Sequence, residues 1–223
     1  MKKFIIICGH YGCGKTNLCL NMAMNEVRKG ESVIFANLDV TDFYFSSPHV
    51  FENYEKFGIQ LVGPAFSQTT LDLPVLPQNL YSIFSQKDKT IIVNTGGGDD
   101  GVAILHRFNR EIIAQNYKMY YVVNYYRSYM KSVDSSVNLA QIIENNSNLK
   151  ISGVINNSHL RKDTTLQTII DSVDYAQNVA DKLNVPLTMN VVSSEFLSEA
   201  IGKVPKLFPV DTNLSIDDNS VVI

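Results

Sequence analysis

Short runs of consecutive apolar residues alternate along this chain with longer stretches of helical period. The runs fall at 4–8, 33–36, 91–93, 120–123, 151–155 and 187–192. Several are apolar at successive positions rather than at every second one. That pattern predicts strands covered on both faces, the habit of parallel strands buried between helices. Between the runs, Leu166, Ile169, Ile170, Val173, Ala176, Ala180 and Leu183 share one stripe at helical spacing. Leu18, Met22 and Val27 form a shorter stripe, as do Val133, Val137 and Ala140. These stripes are expected to pack into a core. Strand–helix alternation along the whole length predicts an α/β fold, a doubly wound, mostly parallel sheet with helices on both faces. No internal repeat interrupts it, so residues 1–223 are expected to form a single domain with a polar tail from about 211. Gly63-Pro64, Pro74 and Pro77 mark a loop-rich stretch, expected as an insertion over the sheet's edge or mouth and not as a domain boundary.

Composition narrows the functional classes. A chain of 223 residues, 45% hydrophobic, suits one domain with a full core. The net charge is −3 and the Lys and Arg residues form no dense block, which argues against a nucleic-acid partner. The apolar run at the start ends at Cys8 and Gly9, too short for a secretory signal. No run approaches the roughly 18 apolar residues of a membrane span. The three cysteines, Cys8, Cys13 and Cys19, are bunched in one region without a Cys-x-x-Cys pair. That is no disulfide framework, and a cytoplasmic location with reduced thiols is expected, away from membranes.

The chemistry concentrates after the first strand. Gly9-His10-Tyr11-Gly12-Cys13-Gly14-Lys15-Thr16 has the spacing Gly-x-x-x-x-Gly-Lys-Thr, follows an apolar strand and opens a helical stripe. Glycines let the backbone curl until successive N–H groups point inward, and the helix start adds positive partial charge. Such a loop holds the phosphates of ATP (or ADP) or of GTP. Lys15 is expected to reach the β- and γ-phosphates, and the Thr16 hydroxyl to ligate Mg²⁺; Asn17 continues the same binding segment. Asp39, at the end of the second strand, is placed to hold a metal-bound water or to orient an attacking one, with Asp42 a weaker candidate of the same kind. The third run leads into Asn94-Thr95-Gly96-Gly97-Gly98-Asp99-Asp100. Where an acid is expected to support the metal, this chain has the amide of Asn94. Gly97 is expected to let backbone N–H approach a γ-phosphate, while Asp99 and Asp100 either supply the missing charge or cap the next helix. Asn156 and Asn157 follow the fifth run, and one of these carboxamides is a candidate for pairing with a purine edge.

In this order these stations resemble the MinD/ParA/CobQ (SIMIBI) class of P-loop ATPases, and within it an uncharacterised bacterial group of ATP-binding proteins. The resemblance rests on the phosphate loop, Asn37-Leu38-Asp39, Leu71-Asp72-Leu73-Pro74, Gly96-Gly97, Val123-Asn124-Tyr125-Tyr126-Arg127 and Val154-Ile155-Asn156-Asn157-Ser158. It implies ATP at the strand ends, a nucleotide-controlled dimer, Asp39 as the water-positioning aspartate, and Asn157 or Asn156 as the adenine reader. This chain departs from the class in three places. The signature lysine that reaches across a dimer falls on His10, the first acid of the Asp-x-Asp pair is Asn37, and the acid after the third run is Asn94. No cysteine follows Cys19, so the iron–sulfur ligands of the nitrogenase iron protein branch have no counterpart. Three functions stay open: a slow Mg-dependent ATPase switch acting on a protein partner, a small-molecule kinase or ATP-dependent ligase of the dethiobiotin-synthetase type, and a nucleotide-binding module without turnover.

Overall fold

Eight strands lie side by side in the order β3-β2-β4-β1-β5-β6-β7-β8 in a computed structural model of the protein. The structure describes residues 3–39, 54–63 and 78–211. The strands are β1 (Phe4–Gly9), β2 (Val33–Asn37), β3 (Ile59–Val62), β4 (Thr90–Asn94), β5 (Lys118–Val123), β6 (Gly153–Asn156), β7 (Leu187–Ser193) and β8 (Leu207–Val210). Every pairing between neighbours is parallel. Between and after the strands run the helices α1 (Lys15–Arg28), α2 (Asp99–Arg107), α3 (Asn109–Ile113), α4 (Val133–Ser147), α5 (Leu166–Lys182) and α6 (Leu197–Ala200).

All residues of β1, β2 and β4 are buried, so both faces at the middle of the sheet are covered. This is the continuous apolar strand that a doubly wound fold demands. Leu18, Cys19, Leu20, Met22 and Ala23 of α1 and Val137, Ala140 and Ile143 of α4 complete the same core as Ile6, Ile7, Val93 and Val122. Four further buried residues, Ile169, Val192, Ala200 and Val204, form a smaller core under β8. The six apolar runs correspond to β1, β2, β4, β5, β6 and β7. Two edge strands went unanticipated. β3 has only four residues and exposes Gln60, and β8 carries Pro209, a residue that a sheet accepts only at its edge.

Helix starts differ in a way that matters for chemistry. Ser132 caps α4 by accepting from the Ser135 N–H at 3.1 Å. Thr165 and Thr168 close a reciprocal capping box on α5. The position before α1 is Gly14, in the left-handed region at φ 80°, with no side chain to cap the first turn and no acid in that turn. The first N–H groups of α1 are left for something other than a side-chain cap. No helix among the described residues is long and apolar enough to cross a membrane.

Candidate functional site

β1 lies between β4 and β5, and the chain moves outward to opposite sides from it, so the loop after β1 opens at the point where strand order reverses. Ligands of open parallel sheets bind at that crevice. The loop at 9–16 leaves β1 through Gly9 and turns at Gly12 (φ 72°) and Gly14. A Cβ at Gly14 would lie 2.5 Å from Asn157 Nδ2, so the position has both a conformational and a steric need for glycine. The buried Lys15 donates from Nζ to the His10 carbonyl at 3.2 Å, which folds its ammonium back over the loop. A Cβ at Gly97 would collide with the backbone of Tyr11 and His10, so the glycine loop after β4 lies directly against the phosphate loop.

Register builds the next corner. β2 pairs with β4 at Asn37↔Asn94, which sets two amides side by side at the strand ends. Asn94 donates from Nδ2 both to Thr16 Oγ1 at 3.1 Å and to Asn37 Oδ1 at 2.8 Å. Asn37 Oδ1 also accepts from the Asp39 N–H at 3.2 Å. Asn94 is fully buried, and its Oδ1 has no hydrogen-bond partner. The buried carboxylate of Asp39 lies beside Gly96, with Oδ1 3.5 Å from where a Cβ of Gly96 would stand. Thr16 and Asp39 thus stand on the β2–β4 side of the loop, hard oxygen donors of the kind Mg²⁺ takes together with phosphate oxygens, while Asn94 turns its amide nitrogen toward Thr16. Asp99 and Asp100 are exposed in the first turn of α2, where their charge complements the helix dipole. Asp42 and the segment at 71–74 lie outside the described residues, as do 64–77 of the expected insertion and the tail from 212.

The opposite side of the loop faces a cavity of about 490 Å³ lined by Asn17, Asn157, His159, Arg161 and Lys162, with Val191, Phe196 and Val210 as apolar wall. The two neighbouring asparagines part company here. Asn156, the last residue of β6, is buried with Nδ2 on Ser172 and Asn190 and Oδ1 accepting from Ser158, so its amide is committed to the fold. Asn157 donates to the Cys13 carbonyl at 2.8 Å and lines the cavity. Beside it, burial and the charges of Arg127 and Arg161 pull His159 down to about 4, and its buried Nε2 has no partner. The imidazole is therefore neutral at pH 7. The thiols of Cys8, Cys13 and Cys19 are unpaired and buried; burial pushes Cys8 up to about 12 and raises the other two. They pack and do not react at neutral pH.

Three contacts were not read from the sequence. His10 stacks on Tyr129 with ring centroids 5.0 Å apart. His159 closes in behind Gly14, its Nε2 3.0 Å from where a Cβ of that glycine would stand. Arg127, in the turn after β5, lays its guanidinium against Gly12. Each joins loops that follow different strands, and no local spacing announces such a meeting.

No protein-family model matches the chain, and no curated protein matches it. Solved structures do share its architecture. Chloroplast FtsY from Physcomitrella patens aligns with a TM-score of 0.54 at 15% identity, over 84% of this chain and 58% of that one. FtsY from Mycoplasma mycoides aligns at 0.53 and 16%, over 85% and 60%. The signal recognition particle 54 kDa protein from Aeropyrum pernix, solved in complex with GDP, aligns at 0.51 and 18%, over 83% and 40%. The chain spans between 40% and 60% of the length of these three. At such identities the likeness concerns fold alone: an all-parallel α/β sheet with helices, a P-loop NTPase-like fold.

Proposed function

We propose that this chain binds Mg-ATP and serves as a slow ATPase switch toward a protein partner, in the manner of the MinD/ParA/CobQ proteins its motifs resemble. The observation that carries the reading is the start of α1. Its first turn is uncapped and wrapped by a glycine loop, with Lys15 folded over it and a cavity beside it. That arrangement presents N–H groups and an ammonium to an anion, and leaves room for a base and sugar next to it. Thr16 and Asp39 would hold Mg²⁺, which would neutralise charge at the β- and γ-phosphates. Asp39 is also the group to orient the attacking water. With amides at Asn37 and Asn94 in place of acids, support for the metal is weaker and turnover slow. The glycine loop at 96–98 packs against Tyr11 and would have to move for a third phosphate, which makes it the segment a partner would sense.

Asn157 is the adenine reader in this proposal, since the amide of Asn156 is spent inside the fold. A rival guanine reading draws on Glu195, an exposed carboxylate at the cavity wall able to accept from a guanine edge. Calorimetry with ATP and GTP in the presence of Mg²⁺ separates the two. We expect ATP to bind more tightly and Lys15→Ala to weaken it about tenfold or more, a charge-assisted phosphate contact being worth roughly 1.5–3 kcal/mol. Equal binding by wild type and Lys15→Ala would refute the phosphate-loop assignment. Tighter GTP binding that Glu195→Gln abolishes would transfer the base to guanine. Phosphate release from Mg-ATP distinguishes a slow ATPase from a module that only binds.

A further inference from the structure

The turn that follows β5 sits beside the phosphate loop because β5 pairs with β1 up to Gly9↔Val122. It is a firmly built turn. Arg127 N–H donates to the Asn124 carbonyl at 3.0 Å, Tyr126 N–H to Asn124 Oδ1 at 3.1 Å, and Met130 N–H to the Arg127 carbonyl at 2.8 Å. Tyr125 N–H is tied to Ser158 Oγ at 3.0 Å, which joins the turn to the segment carrying Asn157 and His159. From this support the Arg127 side chain reaches the loop, with Nε and Cζ 3.7 and 3.8 Å from where a Cβ of Gly12 would stand.

The guanidinium is poorly matched to its surroundings. Its Nε is buried without a hydrogen-bond partner, and Arg127 belongs to none of the salt bridges among the described residues. A partly buried arginine without an acid stores a desolvation cost that an incoming anion would relieve. The nearby ring of His159 offers no negative charge. What the loop at Gly12 offers, on the nucleotide reading, is phosphate, and a planar guanidinium suits phosphate oxygens through paired N–H groups.

We infer that Arg127 is a second phosphate-binding cation of this site, supplied by the same chain and directed at the diphosphate end of the nucleotide. The side of the loop decides which phosphates it serves. Asp39, Asn94 and Gly97 stand on the β2–β4 side, where a third phosphate would be met. Arg127 stands on the β5–β6 side, with Asn157 and the cavity. The ring of His10, in the same loop, is stacked on Tyr129, two residues beyond Arg127. The turn after β5 thus covers the loop at His10 and brings its positive charge from the same chain.

The inference rests on the nucleotide reading, and the test keeps the two apart. Mg-ADP and Mg-ATP are titrated by calorimetry into wild type, Arg127→Ala, Arg127→Lys and Lys15→Ala, with the melting temperature of each protein recorded without nucleotide. Arg127→Ala is expected to weaken ADP and ATP alike, by about tenfold. Arg127→Lys, which keeps the charge but not the paired N–H groups, is expected to recover only part of that loss, and Arg127→Ala to melt no lower than wild type, since it removes an unpaired buried donor. Unchanged ADP and ATP affinities in Arg127→Ala, beside a weakened Lys15→Ala, would overturn the role of Arg127 and leave the nucleotide site standing. Unchanged affinities in both alanine variants would bring down the nucleotide reading itself, and this inference with it.

Discussion

Asn94 shows how much one atom type decides. Its amide nitrogen is shared between Thr16 Oγ1 and Asn37 Oδ1, so the Thr16 oxygen spends a lone pair on an N–H that an acid at this position would have left to the metal. Replacing it alone does not restore an acidic corner. In Asn94→Asp a carboxylate oxygen would face Asn37 Oδ1, and Asn37 cannot turn away without losing its bond to the Asp39 N–H. We expect Asn94→Asp to cost about 1–3 kcal/mol in urea denaturation without ligand, the usual penalty for a buried polar mismatch. Mg-ATP should then raise its stability by more than it raises that of wild type. His159 provides the acid-sensitive residue. Its pKa is about 6.5 in the unfolded chain and about 4 when folded, so between those values the unfolded state takes up a proton that the folded state refuses. The stability it permits is complete above pH 6.5 and is lost as pH falls toward 4. Comparing denaturation at pH 7 and pH 5 should show a smaller acid loss in His159→Gln than in wild type.

Among the elements, α1 does two jobs with its two ends of one turn. Its N-terminus faces the phosphate loop, while Asn17 and Asn21 hold the chain where it leaves β8. Asn17 and Asn21 donate from Nδ2 to the Asp211 carbonyl at 3.3 and 3.2 Å, and Asn21 Oδ1 accepts the Asp211 N–H at 2.8 Å. β8 is a four-residue edge strand, and Val210 is part of the cavity wall. Asn21→Ala removes two of these three bonds. We expect it to cost about 1–2 kcal/mol, to speed hydrogen exchange at Leu207, Phe208 and Val210, and to weaken the proposed nucleotide binding through the loosened wall. Unchanged exchange at those residues would show that β8 is held by its pairing with β7 alone. This attachment also explains why β8 was illegible in the sequence. Four residues with a proline carry no strand signal of their own, and what makes them a strand is pairing with β7 and a tether from a helix far away in the chain. The parting of Asn156 and Asn157 has a local cause of the same order. Asn156 ends a strand and spends its amide within the fold, whereas Asn157 follows it and, though buried, turns its amide to the Cys13 carbonyl of the glycine loop, a difference of face that residue type alone does not reveal.

At the level of the molecule, what is local in the chain was legible in the sequence and what is assembled from distant segments was not. Gly9 to Thr16 form one continuous segment, and the apolar runs declare their parallel strands by being apolar at every position. Arg127, His159 and Tyr129 reach the phosphate loop only because β5 and β6 lie beside β1, a neighbourhood that strand order creates. The site also has an unequal history along the chain. Its glycine loop leaves the ribosome well before the wall formed by Val191, Phe196 and Val210. Parallel pairing over such separations is slow to form, because the closure entropy precedes the reward. A nascent chain would therefore carry a glycine loop able to curl around phosphate long before it had any surface to grip a base. On the proposed nucleotide reading, full affinity would appear only with β8 in place, so that binding would report on completed folding as well as on the presence of ligand.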